Sequence, residues 1–154
     1  MKNILIFSLM LVSCGKYYAD PRAILTTDAA FTPYIKDFET LYGKKINNIP
    51  INFGNTANVA FIAVCRKWSD FEKDIIVKKE VWNMLSKEQK QELIFHELGH
   101  CELNLEHISN YTYNVNNPYI CPISIMNPQV FNDYSISYCY NANINYYTNK
   151  LFNR

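Results

Sequence analysis

The chain has 154 residues, enough for one compact domain and too few for two comfortable ones. Lys and Arg total 15 against 14 Asp and Glu, a formal net charge of +1, so no overall basic or acidic bias points to nucleic acid or a polyacidic partner. Hydrophobic residues make up 49% of the chain, with many Tyr and Phe, which excludes a largely disordered protein and supplies a core.

The N-terminus differs from the rest. Met1-Lys2-Asn3 is a short positive start, and residues 4–12 are apolar except for Ser8, the layout of a signal peptide covering residues 1–13. The run is too short for a membrane-spanning helix. Leu11-Val12-Ser13-Cys14 resembles a bacterial lipobox, which implies that Cys14 receives lipid and becomes the mature N-terminus. Two or more acyl chains there hold a protein on a membrane stably. The expected location is therefore outside the cytoplasm, in the periplasm or at the cell surface; the alternative is a plain secretory signal with an incidental cysteine. Residues 14–26 read as a polar tether and residues 27–154 as the folded domain. Cys65, Cys101, Cys121 and Cys139 remain, an even number in an exported domain, so two disulfides are expected with three pairings open. No Cys-x-x-Cys pair favours metal ligation by these cysteines.

In residues 28–42, Phe31, Ile35, Phe38 and Tyr42 recur at helical spacing, with Gly43 at the C-cap position. Three β-prone segments follow, residues 49–53, 59–65 and 74–77, expected to form one sheet. Ser86-Lys87-Glu88-Gln89 is a capping box. The helix it opens carries Leu93, Ile94, Leu98 and Cys101 and is expected to run on to about Asn104. Gly99 reads as room for close helix packing. Trp68, Trp82 and the tyrosines of the tail read as packing residues. Beyond His107 the chain reads as irregular, rich in Asn, Tyr and Pro, up to a last helix over residues 143–152.

The chain's three histidines all lie within residues 96–107, His-Glu-Leu-Gly-His-Cys-Glu-Leu-Asn-Leu-Glu-His. Two histidines four apart on a helix lie almost above one another, so His96 and His100 can reach one metal ion. Glu97, rotated about a quarter turn, stands where it can act as general base on a metal-activated water. A third ligand is needed. No glutamate follows Glu106, and Asp133 is the one downstream aspartate. His107 is preferred over Glu106, because a helix ending near Asn104, with Asn in a left-handed cap, would swing an imidazole back to the metal.

The stretch resembles the metzincin pattern His-Glu-x-x-His-x-x-Gly-x-x-His, and Ser124-Ile125-Met126-Asn127-Pro128 is similar to the Met-turn that follows it, with Met126 as the apolar floor. Two departures are plain: Leu103 takes the glycine position, and the third histidine comes one residue late, with Glu106 in its usual place. Pro128 stands where some members carry an auxiliary tyrosine. The resemblance implies an α+β zincin fold: a small mixed sheet with a helix packed on it, an active-site helix, and an irregular C-terminal subdomain ending in a helix. It also implies a single catalytic Zn2+ and an edge strand, residues 58–65, that pairs with extended substrate. The resulting expectation is a monomeric, lipid-anchored zinc endopeptidase acting on protein or peptide, with the membrane as its other partner. The alternatives are a non-catalytic zinc-binding surface lipoprotein on the same fold and a hydrolase of cell-wall peptide.

Overall fold

The computed structural model describes residues 26–46, 48–56, 60–69, 72–114 and 117–153. The signal peptide, Cys14 and all of the tether but its last residue lie outside the described residues.

The Asp28 carboxylate accepts from the Ala30 amide and starts a 3-10 turn, Ala29–Phe31, that leads into helix α1, Thr32–Tyr42. Pro33 sits in the first turn of α1, where its missing N–H costs nothing. Gly43 ends the helix with φ 78°, a left-handed value that a side chain would strain. Strands β1, Ile51–Phe53, β2, Ala63–Lys67, and β3, Lys73–Val77, form one mixed sheet in the order β1-β3-β2. β3 is central, parallel to β1 and antiparallel to β2, and its Ile75-Ile76-Val77 run is buried. The sequence placed β2 earlier, at residues 59–65. The pairing moves it because Arg66 faces Asp74 across the ladder and grips its buried carboxylate with two guanidinium nitrogens. That charged pair fixes a register which apolarity alone does not reveal.

A short helix α2, Lys79–Met84, not foreseen from the sequence, brings Trp82 against Phe31 and Tyr34 with ring centroids 4.9 and 5.3 Å apart. Helix α3, Lys87–Cys101, begins at the expected capping box: the Ser86 hydroxyl accepts from the Gln89 amide at 3.2 Å, and the Gln89 side chain accepts from the Ser86 amide at 2.9 Å. It is buried on every face from Glu92 to Gly99. The sheet and α1 pack on one side, where Phe38 meets Phe95 edge-on at 5.3 Å. On the other side lies the C-terminal part of the chain. That part is less irregular than expected. It holds a hairpin of β4, Tyr111–Asn114, and β5, Asn117–Pro122, then α4, Asp133–Ser135, a π turn, Ile136–Tyr140, a 3-10 turn, Asn141–Asn143, and the final helix α5, Ile144–Leu151. Tyr147 on α5 donates to the Pro122 carbonyl at 2.6 Å.

Of the three possible pairings, Cys65 joins Cys101 and Cys121 joins Cys139. The first bond ties β2 to the end of α3, and the second ties β5 to the π turn. Trp82 is core, as read from the sequence, while Trp68 is 46% exposed under the Arg66 guanidinium. The fold is thus α+β, with a small sheet and helices around one buried helix.

Glu92 on α3 is 1% exposed, and both carboxylate oxygens lack a hydrogen-bond partner among the described residues. Burial pushes its pKa well above the ordinary 4.5, and the nearby Glu97 adds to the shift. The folded state therefore holds this proton more tightly than the unfolded chain. Its stabilising contribution is complete below the unfolded carboxyl range and is lost as pH rises above it. Thermal melting in zinc-free buffer is expected to show Glu92→Gln level with the parent near pH 4 and increasingly more stable toward pH 8.

Candidate metal centre and its cavity

Helix α3 places His96 and His100 one turn apart, with Nε2 atoms 3.1 Å from each other. The helix stops at Cys101, sooner than the sequence suggested, and its end is wide. Glu102 donates to Leu98, Leu103 reaches the same carbonyl at 3.3 Å, and Leu105 reaches back six residues to Gly99 at 2.9 Å. Asn104 supplies the left-handed residue, with φ 56°, and its side-chain oxygen accepts from Lys67 on β2 at 2.7 Å. This widened turn accommodates the six residues between His100 and His107. It returns His107, whose Nε2 lies 3.2 Å from that of His96 and 3.0 Å from that of His100. His96, His100 and His107 are the three residues brought together; Glu106 lies on the wall beside them, and Asp133 is exposed in the first turn of α4.

The ring orientations test whether a cation fits. His96 Nδ1 lies 2.8 Å from the Ile125 carbonyl, and His100 Nδ1 lies 2.6 Å from the Leu105 carbonyl. A carbonyl only accepts, so both Nδ1 atoms carry the proton and both Nε2 atoms present lone pairs. Burial favours that neutral form, moving the His96 pKa down to about 4 and that of His100 downward. Bare nitrogens at this separation repel unless a positive charge lies between them. Their spacing is close to the ~3.3 Å expected between ligands on a tetrahedral ion with ~2.0 Å bonds. The three histidines are positioned to bind a metal ion.

Glu97 is 5% exposed and points from α3 to the sheet, where its Oε2 accepts from the Cys65 amide at 2.7 Å. Burial pushes its pKa up to about 7, against the pull of that amide. The contact follows from the register: Cys65 pairs with Ile75, which donates away from β2 to Pro50, so Cys65 also turns its backbone groups outward. Glu97 thus hangs on the open edge of β2, and the Cys65–Cys101 disulfide ties that strand to the helix bearing it.

Beneath the histidines, Met126 is 1% exposed and packs on α3 at Gly99. A Cβ on Gly99 would collide with the Met126 sulfur and come within 3.3 Å of Leu151, so a larger residue there would displace Met126 from its place against α3. The Ser124 hydroxyl accepts from the Met126 amide at 3.1 Å, and the Met126 carbonyl accepts from Ile108 at 2.7 Å, just past His107. Residues 124–126 therefore floor the site, orient His96 and anchor the chain that delivers His107. The histidines and Glu97 open on a cavity of about 500 Å³ between residues 60–65 of the β2 side and residues 127–130 after Met126. The sequence reading did not single out Asn127, which lines this cavity; its position directly after the Met was the available signal.

Residues 52–120 match the family model described as "Putative phage metallopeptidase". The matched segment covers the three-stranded sheet except Ile51, together with Glu97 and all three histidines, and ends before Met126. No curated protein and no solved structure matches the chain. The family match and the histidine cluster support a metallopeptidase.

His107→Ala is expected to weaken zinc binding by two orders of magnitude or more in equilibrium dialysis, while Glu106→Ala leaves the affinity within about threefold. Equal losses in the two variants would reassign the third ligand.

Proposed function

We propose that this protein is a zinc-dependent endopeptidase that acts outside the cytoplasm, held to a membrane by lipid on Cys14. The observation that carries the reading is the opening of three convergent imidazole nitrogens and the buried Glu97 carboxylate onto one cavity beside a free strand edge. Zinc is the metal that suits a small all-nitrogen donor set of this spacing. When bound, it would polarise the scissile carbonyl and lower the pKa of a water to about 7.

The chain's own residues supply the rest. An extended peptide adds to the edge of β2, where Ala63 turns its backbone groups outward and Cys65 its carbonyl, the Cys65 amide being taken by Glu97. Such recognition uses main-chain groups that recur along any polypeptide, which favours internal bonds over termini. Because Glu97 is fastened at Cys65, a peptide on that edge lies across its carboxylate. Glu97 takes the proton of the attacking water and passes it to the leaving amine nitrogen. His96 and His100 are held by backbone carbonyls and need not reorient. Export is supported by the lipobox and by the two disulfides among the described residues, since such bonds persist in oxidising compartments.

Protein lacking residues 1–14 is expected to bind one zinc and to cleave unfolded casein. Glu97→Gln keeps the zinc and loses activity by about 10²–10⁴-fold; undiminished cleavage would refute the base assignment. Peptidoglycan stem peptides assayed in parallel separate a cell-wall substrate from a protein one. In cells, Cys14→Ser is expected to move the protein from the membrane to the soluble fraction on ultracentrifugation, and an unchanged distribution would remove the anchor.

A further inference from the structure

Asn127 is 1% exposed, lines the cavity that holds Glu97 and the histidines, and carries a side-chain nitrogen with no hydrogen-bond partner among the described residues. Its orientation is fixed, because Oδ1 accepts from the Gln129 amide at 3.1 Å and the amide group must then turn Nδ2 the other way. A buried donor without a partner is costly, and a site that keeps one gains that energy back when a ligand brings an acceptor. Serine or aspartate would close the same turn with Gln129 without leaving two unpaired N–H bonds.

The surroundings say what the acceptor is. Residues 127–130 form the wall opposite residues 60–65, with the histidines and Glu97 lining the space between them. In an extended peptide, successive residues direct their N–H and C=O groups to alternate sides. A peptide on the edge of β2 therefore turns every second carbonyl toward Asn127. We infer that Asn127 is a substrate-positioning residue whose Nδ2, covered in the structure as it stands, is uncovered as residues 127–130 adjust to a bound peptide and then donates a hydrogen bond to one of its backbone carbonyls. This rests on the peptidase reading and adds to it a contact on the second wall. The strand edge and Asn127 grip alternate peptide units, which holds both the height and the tilt of the chain over the metal centre.

The test uses zinc-loaded protein lacking residues 1–14 and two probes that share a zinc-chelating group: acetohydroxamate, which has no peptide, and a tripeptide hydroxamate. Asn127→Ala, and Asn127→Asp, which keeps the acceptor for Gln129, are compared with the parent by calorimetric titration, with thermal melting as a check on folding. The tripeptide hydroxamate is expected to bind the parent more tightly than acetohydroxamate. Both variants are expected to lose about tenfold for the tripeptide compound and to bind acetohydroxamate unchanged. A merely structural role would weaken both probes alike, and that result overturns the inference. So does a variant that holds the tripeptide compound as tightly as the parent, or a parent that does not distinguish the probes. Casein cleavage by the parent is scored separately: its absence sinks the peptidase reading, while the two-probe difference still decides Asn127.

Discussion

Two imidazole nitrogens with lone pairs facing one another at 3.1 Å are the constraint on which the structure turns. A protein does not leave such a pair by accident, since a flipped ring or a shared proton would relieve it. Here the flip is closed off by backbone carbonyls behind the rings, one from the Met126 turn and one from the loop leading to His107, and burial disfavours the extra proton. The chain on either side of the site is thus committed to keeping it electron-rich, and the third imidazole joins that arrangement. Much of the fold can be read as support for this: α3, capped and buried from Glu92 to Gly99, the glycine that admits Met126, and the widened turn.

What the sequence revealed depended on how local the cause was. The capping box, the Gly43 cap and the spacing of His96 and His100 are set by residues within a turn of each other, and they stand where expected. Asn104 was legible because few residues other than Gly accept a left-handed φ. The register of β2 was not, because it depends on Arg66 finding Asp74 on another strand. The β4–β5 hairpin was missed because Asn and Pro in residues 110–122 suppress the strand signal, whereas pairing and the Cys121–Cys139 bond act only once the chain is folded. Asn127 lay in the quoted Met-turn, yet its unpaired amide becomes meaningful only when burial is known.

The two halves of the domain contribute differently to the site. The N-terminal half provides the sheet edge and, through Cys65, the partner of Glu97. The C-terminal half provides the floor and the orientation of His96. α3 lies between them and carries the first two histidines and the base. The burial of Glu92 to Gly99 on every face follows from that position, while the first turn, with Lys87 exposed, reaches solvent.

One consequence concerns how the cleft can move. The Glu97 side chain, the Cys65 amide, the Cys65–Cys101 bond and one turn of α3 form a closed ring of bonds. A motion that parted β2 from α3 would have to break it, so the strand edge, Glu97 and the helix bearing His96 and His100 behave as one rigid jaw. Adjustment to substrates of different bulk then falls to the opposite jaw, residues 127–130, where Pro128 and Gln129 are exposed. On the proposed reading, selectivity among side chains and fidelity of the chemistry then belong to different pieces of backbone.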